Sequence, residues 1–480
     1  MIRTRFAPSP TGELHIGSVR TALFAFLFAK HEEGEFLLRI EDTDRERFVE
    51  GSAERILESL KWLRIIAYNK DEPVVQSKRL EIYKKYAMQL VEEDKAYVCT
   101  CSKELLEKDR AEQIKRGEAP RYSKRCREIS NSKYLISNEM SKAEIQMPKE
   151  AVIRMKMPKE GKIVVDDLIH GKVEFDAKLI DDQVILKSDG YPTYHLASVV
   201  DDNEMAITHV IRSDEWLPST PKHIVLYEML GWKPPEFVHL PMILGPDKKK
   251  MSKRHGATSV LEYRDEGYLP EALANFIAFL GWNPKDEREV FSIDELAEEF
   301  ELSKVNKSPA VFDIEKLNSI NEEYLKSQIS NLKSTAQNYK TFLKQFGTED
   351  ISEGEIELIG RGGYKTLKEA AEYIKKLRKE PEYKAELLVF KKSDKERALE
   401  GLQGVLTGVQ GVKRWQTIDI QKMMSEVVER ENLTNGDVFW PVRVALSGEE
   451  RSPSPVELAV ALGEEETTTR IQKAIGNLNF

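Results

Sequence analysis

The chain has 480 residues, room for roughly two to four domains, and its 40% hydrophobic and 32% charged composition is that of an ordinary globular protein. No apolar run approaches the roughly 18 residues of a membrane helix, and Met-Ile-Arg-Thr-Arg lacks the apolar stretch of a secretory signal, so a cytoplasmic location without membrane contact is expected. A net charge of -9 argues against nonspecific coating of nucleic acid but allows a local basic groove, and three cysteines exclude a disulfide framework.

In chain order, Ile2 to Ala7 has the pattern of a first strand, and Val19, Ala22, Leu23, Phe26 and Leu27 share one face of a following helix. Between them lies Pro8-Ser-Pro-Thr-Gly-Glu-Leu-His-Ile-Gly-Ser18, a stiff turn carrying one histidine. A strand-turn-helix unit is where α/β folds bind phosphates, because the helix start offers unpaired N–H groups and a partial positive charge. Gly12 and Gly17 allow a nucleotide close to the backbone, and His15 can donate to a phosphate oxygen. The stretch is neither a Walker loop nor a G-x-G-x-x-G turn, and His-Ile-Gly alone reads equally well as a structural turn.

Further on, apolar runs such as Glu35 to Ile40 and Ala206 to Ile211 alternate with helical-period segments such as Lys222 to Leu230, up to about Leu280. That alternation predicts a parallel α/β sheet. The stretch from Lys103 to Lys149 is polar and broken by Gly117, Pro120 and Pro148, which predicts an insertion in that domain. All three cysteines belong to this region, as Cys99-x-Cys101 and Tyr122-x-x-x-Cys126. No histidine occurs between His31 and His170, so a local three-cysteine, one-histidine site cannot be built and a fourth ligand must come from elsewhere; three metal-free thiols are the alternative. Lys250-Met-Ser-Lys-Arg254 alone is a solvated basic loop. Paired with the first turn, it can fold over a triphosphate and neutralise a departing pyrophosphate. Beyond Phe312 the apolar residues recur at helical spacing, as in Thr366 to Lys379 and Asp419 to Arg430, which predicts a helical C-terminal part.

These motifs carry a resemblance. Pro8 to Ser18 resembles the HIGH motif and Lys250 to Arg254 the KMSKS motif of class I aminoacyl-tRNA synthetases. Arg3 to Ser18, Arg39 to Asp44, Lys187 to Asp202 and Val210 to His223 make the chain similar to bacterial glutamyl-tRNA synthetases through about Asn321, with a weaker fit beyond. The resemblance implies a doubly wound, Rossmann-type α/β catalytic domain with an insertion, followed by an all-α anticodon-binding domain. Its expected boundaries are 1–98 with 187–245 for the catalytic domain, 99–186 for the insertion, 246–325 for the KMSKR loop and stem contact, and 326–480 for the helical domain. It implies a glutamate–tRNA ligase that uses ATP and Mg²⁺, acts on L-glutamate and tRNAGlu, and works as a monomer. Catalysis then falls to His15, Lys250 and Lys253, and ATP binding to Ala7, Ser9, His15, Gly17, Glu215, Trp216 and Lys253. Glutamate falls to Arg5, Ser9, Glu41, Tyr194, Ser198 and Arg212, with serine at 198 where other members carry asparagine. Some relatives bind Zn²⁺ through a Cys-x-Cys and Tyr-x-x-x-Cys pattern, which implies Cys99, Cys101, Tyr122 and Cys126 as ligands, with Glu128 or water as other fourth donors.

Family members restricted to tRNAGlu read the third anticodon base with an arginine that aligns here with Gly363, so tRNAGln is implied as a second substrate unless Arg361 takes that role. A shortened tRNA-modifying glutamyl transferase is the first rival but should end near residue 300, and glutaminyl-tRNA synthetase would need β-barrels after Phe312. A catalytically silent paralogue has no need of His15, Lys250 and Lys253, and a small nucleotidyltransferase of the pantothenate synthetase kind leaves the helical part without a role.

Overall fold

The computed structural model describes residues 1–129, 135–138, 141–145, 148–251, 259–284, 287–330 and 343–479. They form two compact units, one of residues 1–263 with 273–313 and one of 264–272 with 314–480. Among the described residues no helix is long and apolar enough to cross a membrane.

The first unit is built on a seven-stranded sheet of described residues. Its strands in chain order are β1 (Arg3–Phe6), β2 (Glu35–Ile40), β3 (Val74–Val75), β4 (Lys162–Asp167), β5 (Gly171–Asp176), β6 (His209–Ser213) and β7 (Glu236–Leu240), and their spatial order is β3-β2-β1-β6-β7-β4-β5. Every neighbouring pair is parallel except β4 with β5. Helix α1 (Ile16–His31) connects β1 to β2 and is apolar almost all round, because it is covered on more than one side. Val19, Ala22, Leu23 and Leu27 are fully buried, and Phe24 meets Phe300 edge to face at 5.1 Å. The chain leaves α1 through Gly34, whose N–H donates to Ala29 O at 2.7 Å and where a Cβ would stand 2.3 Å from Ile2 O. Only glycine lets β2 start flush against β1.

One expectation needs correcting. The stretch expected as an insertion, 99–186, includes β4 and β5, and these belong to the central sheet, with Asp167 opposite Phe237 of β7. Lys162–Asp167 alternates exposed and buried residues, the pattern of a strand with one wet face, and Gly171 at φ 73° turns it back into β5. A separate three-stranded antiparallel sheet is formed by Ala96–Cys99, Val152–Met155 and Val184–Leu186.

The described part of the second unit is helical and without strands. Its helices include Glu353–Gly360, Leu367–Leu377, Lys395–Val409, Thr417–Arg430 and Asn435–Ser447, and Pro455–Asn479 is a helical stretch broken at Gly463, where φ is 81°. Leu367–Leu377 buries Leu367, Ala370, Ala371, Ile374 and Leu377, a stripe at helical spacing, and starts on Thr366, whose side chain caps Glu369 N.

The close approach at Gly34 yields a stability test. Gly34→Ala should lower stability by about 1 to 3 kcal/mol, the scale of overpacking. Gly476→Ala, in a helix with nothing within 4 Å of the new methyl group, should be neutral or stabilising by about 0.4 to 1 kcal/mol. Urea unfolding midpoints of the two variants read the difference.

Candidate active site

In an open α/β sheet ligands bind beyond the strand C-termini where the strand order reverses, and here that point lies between β1 and β6. The turn after β1, the start of α1 and the segment after β6 all converge on it. His15 is the residue before α1, and its Nδ1 accepts from Ser18 N at 3.2 Å while Nε2 lies 2.9 Å from Ser18 Oγ. A Cβ at Gly17 would stand 3.2 Å from the His15 ring, so the glycine gives the imidazole its place against the helix start. Burial, with Lys250 second, pushes the His15 pKa down, and the ring is neutral near pH 7. Val260 N donates to Leu14 O at 3.0 Å, and Ser259 pairs with His15. The Lys250 ammonium meets the Glu215 carboxylate. Lys253 and its neighbours, residues 252–258, lie outside the described residues; the described residues on either side of them are tied to Glu215 and to His15. Ala7 and Ser9 line the turn, Pro8 O accepts from Glu41 N at 3.0 Å, and Trp216 is half exposed with its ring 4.4 Å from that of Tyr194.

Behind this mouth lie two sets of buried guanidinium groups with different partners. Arg39, fully buried on β2, donates to Glu41 Oε1 at 2.9 Å and to Asp202 Oδ1 at 2.7 Å. Arg5 on β1 donates to the same Asp202 oxygen at 3.0 Å, and Ser198 Oγ accepts from Arg39 Nη2 at 3.4 Å. Burial pushes the Glu41 carboxyl up against the pull of Arg39, whereas Arg5 and Arg39 hold Asp202 below the ordinary carboxylate range despite its burial. Arg212, near the end of β6, is buried as well, but its partners are neutral: Tyr194 OH at 2.7 Å, Thr220 Oγ1 at 2.8 Å, His239 Nε2 at 3.0 Å and His223 Nδ1 at 3.4 Å. No carboxylate among the described residues pairs with it. Desolvation lowers the pKa of all three surrounding histidines, His239 to about 4, His195 to about 3, and His223 well below its ordinary value. Arg39, Asp202, His223 and His239 were missed as site residues in the sequence; the signal available was a run of charged or polar residues inside otherwise apolar strands and helices.

The cysteines also converge. The Cys99, Cys101 and Cys126 sulfurs all lie within 4.8 Å of one another, with Cys101 Sγ and Cys126 Sγ 3.6 Å apart. The Tyr122 hydroxyl stands 3.3 Å from Cys99 Sγ and 3.6 Å from Cys101 Sγ, and its ring lies 4.0 Å under the Arg154 guanidinium. Glu128 instead extends to Lys159 at 2.9 Å on the surface. In the helical unit, Arg361 is half exposed and donates to Glu357 at 2.9 Å, while Gly362 and Gly363 have φ of 91° and 89° and Gly363 N donates to Glu322 Oε1 at 3.1 Å.

The neutral histidines make stability pH-dependent. A histidine whose folded pKa lies below its unfolded value of about 6.5 binds protons preferentially in the unfolded chain, so its contribution is complete above pH 6.5 and is lost as pH falls toward the folded pKa. His195, His223 and His239 should each remove up to about 1.4 kcal/mol per pH unit below pH 6.5, before the carboxylates titrate. Urea midpoints should be flat from pH 8 to about 7 and fall steeply between about pH 6 and 4.5.

Residues 1–319 match the family described as tRNA synthetases class I (E and Q), catalytic domain, and residues 311–475 match the family described as anticodon binding domain. The chain is 43% identical to glutamate–tRNA ligase 2 of Thermoanaerobacter pseudethanolicus, covering 99% of this chain and 98% of that one. It is 44% identical to the glutamate–tRNA ligase of Thermodesulfovibrio yellowstonii, covering 99% of both. Among solved structures, a glutamate tRNA ligase from Elizabethkingia meningosepticum in complex with its amino acid superposes with a TM-score of 0.83 at 37% identity over 99% of both chains. With both family matches, the full-length identity and the superposition in agreement, the chain belongs to the glutamate–tRNA ligases, class I aminoacyl-tRNA synthetases.

Proposed function

We propose that the residues around the β1–β6 crevice divide the ligase reaction between a carboxylate-selective floor and a phosphate-binding mouth. The observation that carries this reading is Arg212, a buried cation whose hydrogen-bond partners are all neutral. Its charge is left for an anionic ligand, and the side-chain carboxylate of glutamate is of that kind. Arg5 and Tyr194 complete the seat of this carboxylate, Glu41 and Ser9 take the α-ammonium, and Ser198 lines the wall.

Ala7, Ser9, Gly17, Glu215 and Trp216 receive ATP with its Mg²⁺. An α-carboxylate oxygen of glutamate attacks the α-phosphorus, the bond to the bridging oxygen breaks, and pyrophosphate leaves with glutamyl-adenylate formed. His15, as a neutral N–H donor, together with Lys250 and Lys253 stabilises the charge that builds on the phosphates. The 2′-hydroxyl of the terminal adenosine of tRNA then attacks the activated carbonyl and AMP departs. Every residue invoked comes from one chain, so the reading requires no second copy, and three cysteines that form no disulfide suit the reducing cytoplasm.

The three cysteines with Tyr122 fit a zinc centre. Zn–S bonds of about 2.3 Å in a tetrahedron put sulfurs roughly 3.8 Å apart, close to the 3.6 Å between Cys101 and Cys126. The tyrosine oxygen fills the fourth corner better than Glu128, which turns away to Lys159. Such a metal would order the strand end at Cys99 against the segment 122–126. Elemental analysis of chelator-free protein should find about one zinc per chain, and removing it should lower the thermal midpoint. No zinc, together with a Cys126→Ala variant as stable and active as the parent, would sink the idea.

For tRNA choice we propose acceptance of both tRNAGlu and tRNAGln. Gly363 offers no side chain to the third anticodon base, and the Arg361 guanidinium is already held by Glu357. Base discrimination by one well-placed side chain is worth about 1 to 3 kcal/mol, so its loss lets the two tRNAs compete. Charging assays with glutamate should therefore give comparable kcat/KM for both. A preference above about 10²-fold for tRNAGlu that disappears in Arg361→Ala would move the reading role to Arg361, and failure to charge either tRNA would refute the function.

A further inference from the structure

Arg212 is held by a second layer that belongs to neither the nucleotide turn nor the substrate pocket. Its Nε–H donates to His239 Nε2 at 3.0 Å, and the Thr220 hydroxyl lies 3.1 Å from the same nitrogen; because the guanidinium can only donate, that nitrogen must present a lone pair. The proton of the neutral ring then sits on Nδ1, which lies 2.7 Å from Asp167 Oδ2. Asp167 is saturated with donors: Oδ2 also accepts from His239 N at 3.0 Å, and Oδ1 accepts from Ile169 N at 3.0 Å and His170 N at 2.9 Å. Four N–H groups aimed at one carboxylate keep it ionised and fix its orientation, and all three links of the chain are buried. The ring has little freedom to swing, because it stacks on Phe237 with planes 16° apart.

We propose that Asp167 and His239 are positioning residues which, by holding His239 in its Nδ1–H tautomer, set the orientation of Arg212 and with it the preference for an acid over an amide side chain in the substrate. The inference rests on Arg212 receiving the substrate carboxylate. The logic is that of a carboxylate–histidine pair in which the acid fixes the tautomer and the outer nitrogen acts. The outer nitrogen here orients a guanidinium instead of taking a proton. Were the ring to carry its proton on Nε2, two donors would face each other, and Arg212 would lose its Nε anchor. The arrangement also explains why a carboxylate stands one imidazole away and not in contact. Direct pairing would put an anion where the substrate's own anion must come, whereas a neutral imidazole transmits the orientation alone.

The test is pyrophosphate exchange by the full chain with tRNAGlu present, with glutamate and ATP varied separately and glutamine as competitor. Arg212→Ala should raise KM for glutamate. Asp167→Asn, which must turn an N–H₂ toward one of the four donors, should raise it about tenfold or more and reduce discrimination against glutamine, with KM for ATP within about twofold. Added to Arg212→Ala, it should bring no further rise, a non-additivity that general damage to the fold would not produce. His239→Gln retains an acceptor for Arg212 and should stay closer to the parent than His239→Leu. This pair decides the matter if Asp167→Asn does not fold, and equal glutamate KM values for Gln and Leu overturn the inference. A folded Asp167→Asn with unchanged glutamate KM and discrimination overturns it too, while Arg212→Ala still raising KM leaves the role of Arg212 standing. If Arg212→Ala has no effect, the underlying reading fails and the inference fails with it.

Discussion

The fully buried guanidinium of Arg39 is the interaction around which the catalytic unit is arranged. It reaches Asp202 at 2.7 Å and Glu41 at 2.9 Å, and Asp201 stands 3.8 Å from its Nε. Asp202 also takes Arg5 from β1, and Asp201 takes Gln76, Arg79 and Tyr83. Two strands, the helix Tyr194–Glu204 and the helix Leu80–Glu92 are thereby tied at one point, through the adjacent acceptors Asp201 and Asp202. Ion pairs this deep are weak evidence for net stability, since desolvation offsets the attraction, but removing one partner strands the others and costs about 3 to 5 kcal/mol. Such a cluster fixes geometry more than it adds stability.

Its charge count has a functional consequence. Arg5, Arg39 and Arg79 face Glu41, Asp201 and Asp202, three cations against three anions. Glutamate brings two carboxylates and one ammonium, a net negative charge that a balanced cluster does not attract. On the proposed reading the further cation is Arg212, which stands outside the balance with phenol, hydroxyl and imidazole groups for partners. The depressed pKa values of His195, His223 and His239 follow from the same arrangement: each ring is desolvated, and Arg212 adds to the penalty on a second positive charge. Neutral imidazoles accept hydrogen bonds from a guanidinium without cancelling its charge.

Local parts of this design were legible in the sequence. The first strand, the turn with His15 and the helix after it are contiguous and obey simple periodicities, and the spacing of Cys99, Cys101, Tyr122 and Cys126 allowed a cluster that the fold assembles. Less legible was what pairing over long separations creates. Asp167 and His239 are 72 positions apart and meet because β4 lies beside β7, a contact that the boundaries implied by the resemblance, with 99–186 as one insertion, did not anticipate. Arg39 stood inside a quoted motif, yet nothing local says that an arginine on a strand will be fully buried and hold two carboxylates.

The ion pairs of the site are graded by depth, and the grading suits the order of events. Those of Arg39 and Arg5 lie in the floor and have side chains almost wholly removed from water, so no ligand displaces them. At the mouth, Lys250 and Glu215 have side chains 64% and 47% exposed, and a pair so well solvated is worth about 0 to 1 kcal/mol. On the proposed reading, an arriving polyphosphate takes Lys250 from Glu215 at little expense, with more charge to offer than one carboxylate. On the proposed reading the same contrast separates the tasks: the buried floor recognises one amino acid without moving, whereas Lys250, in a solvated pair with Glu215, can follow charge as it shifts onto the leaving pyrophosphate.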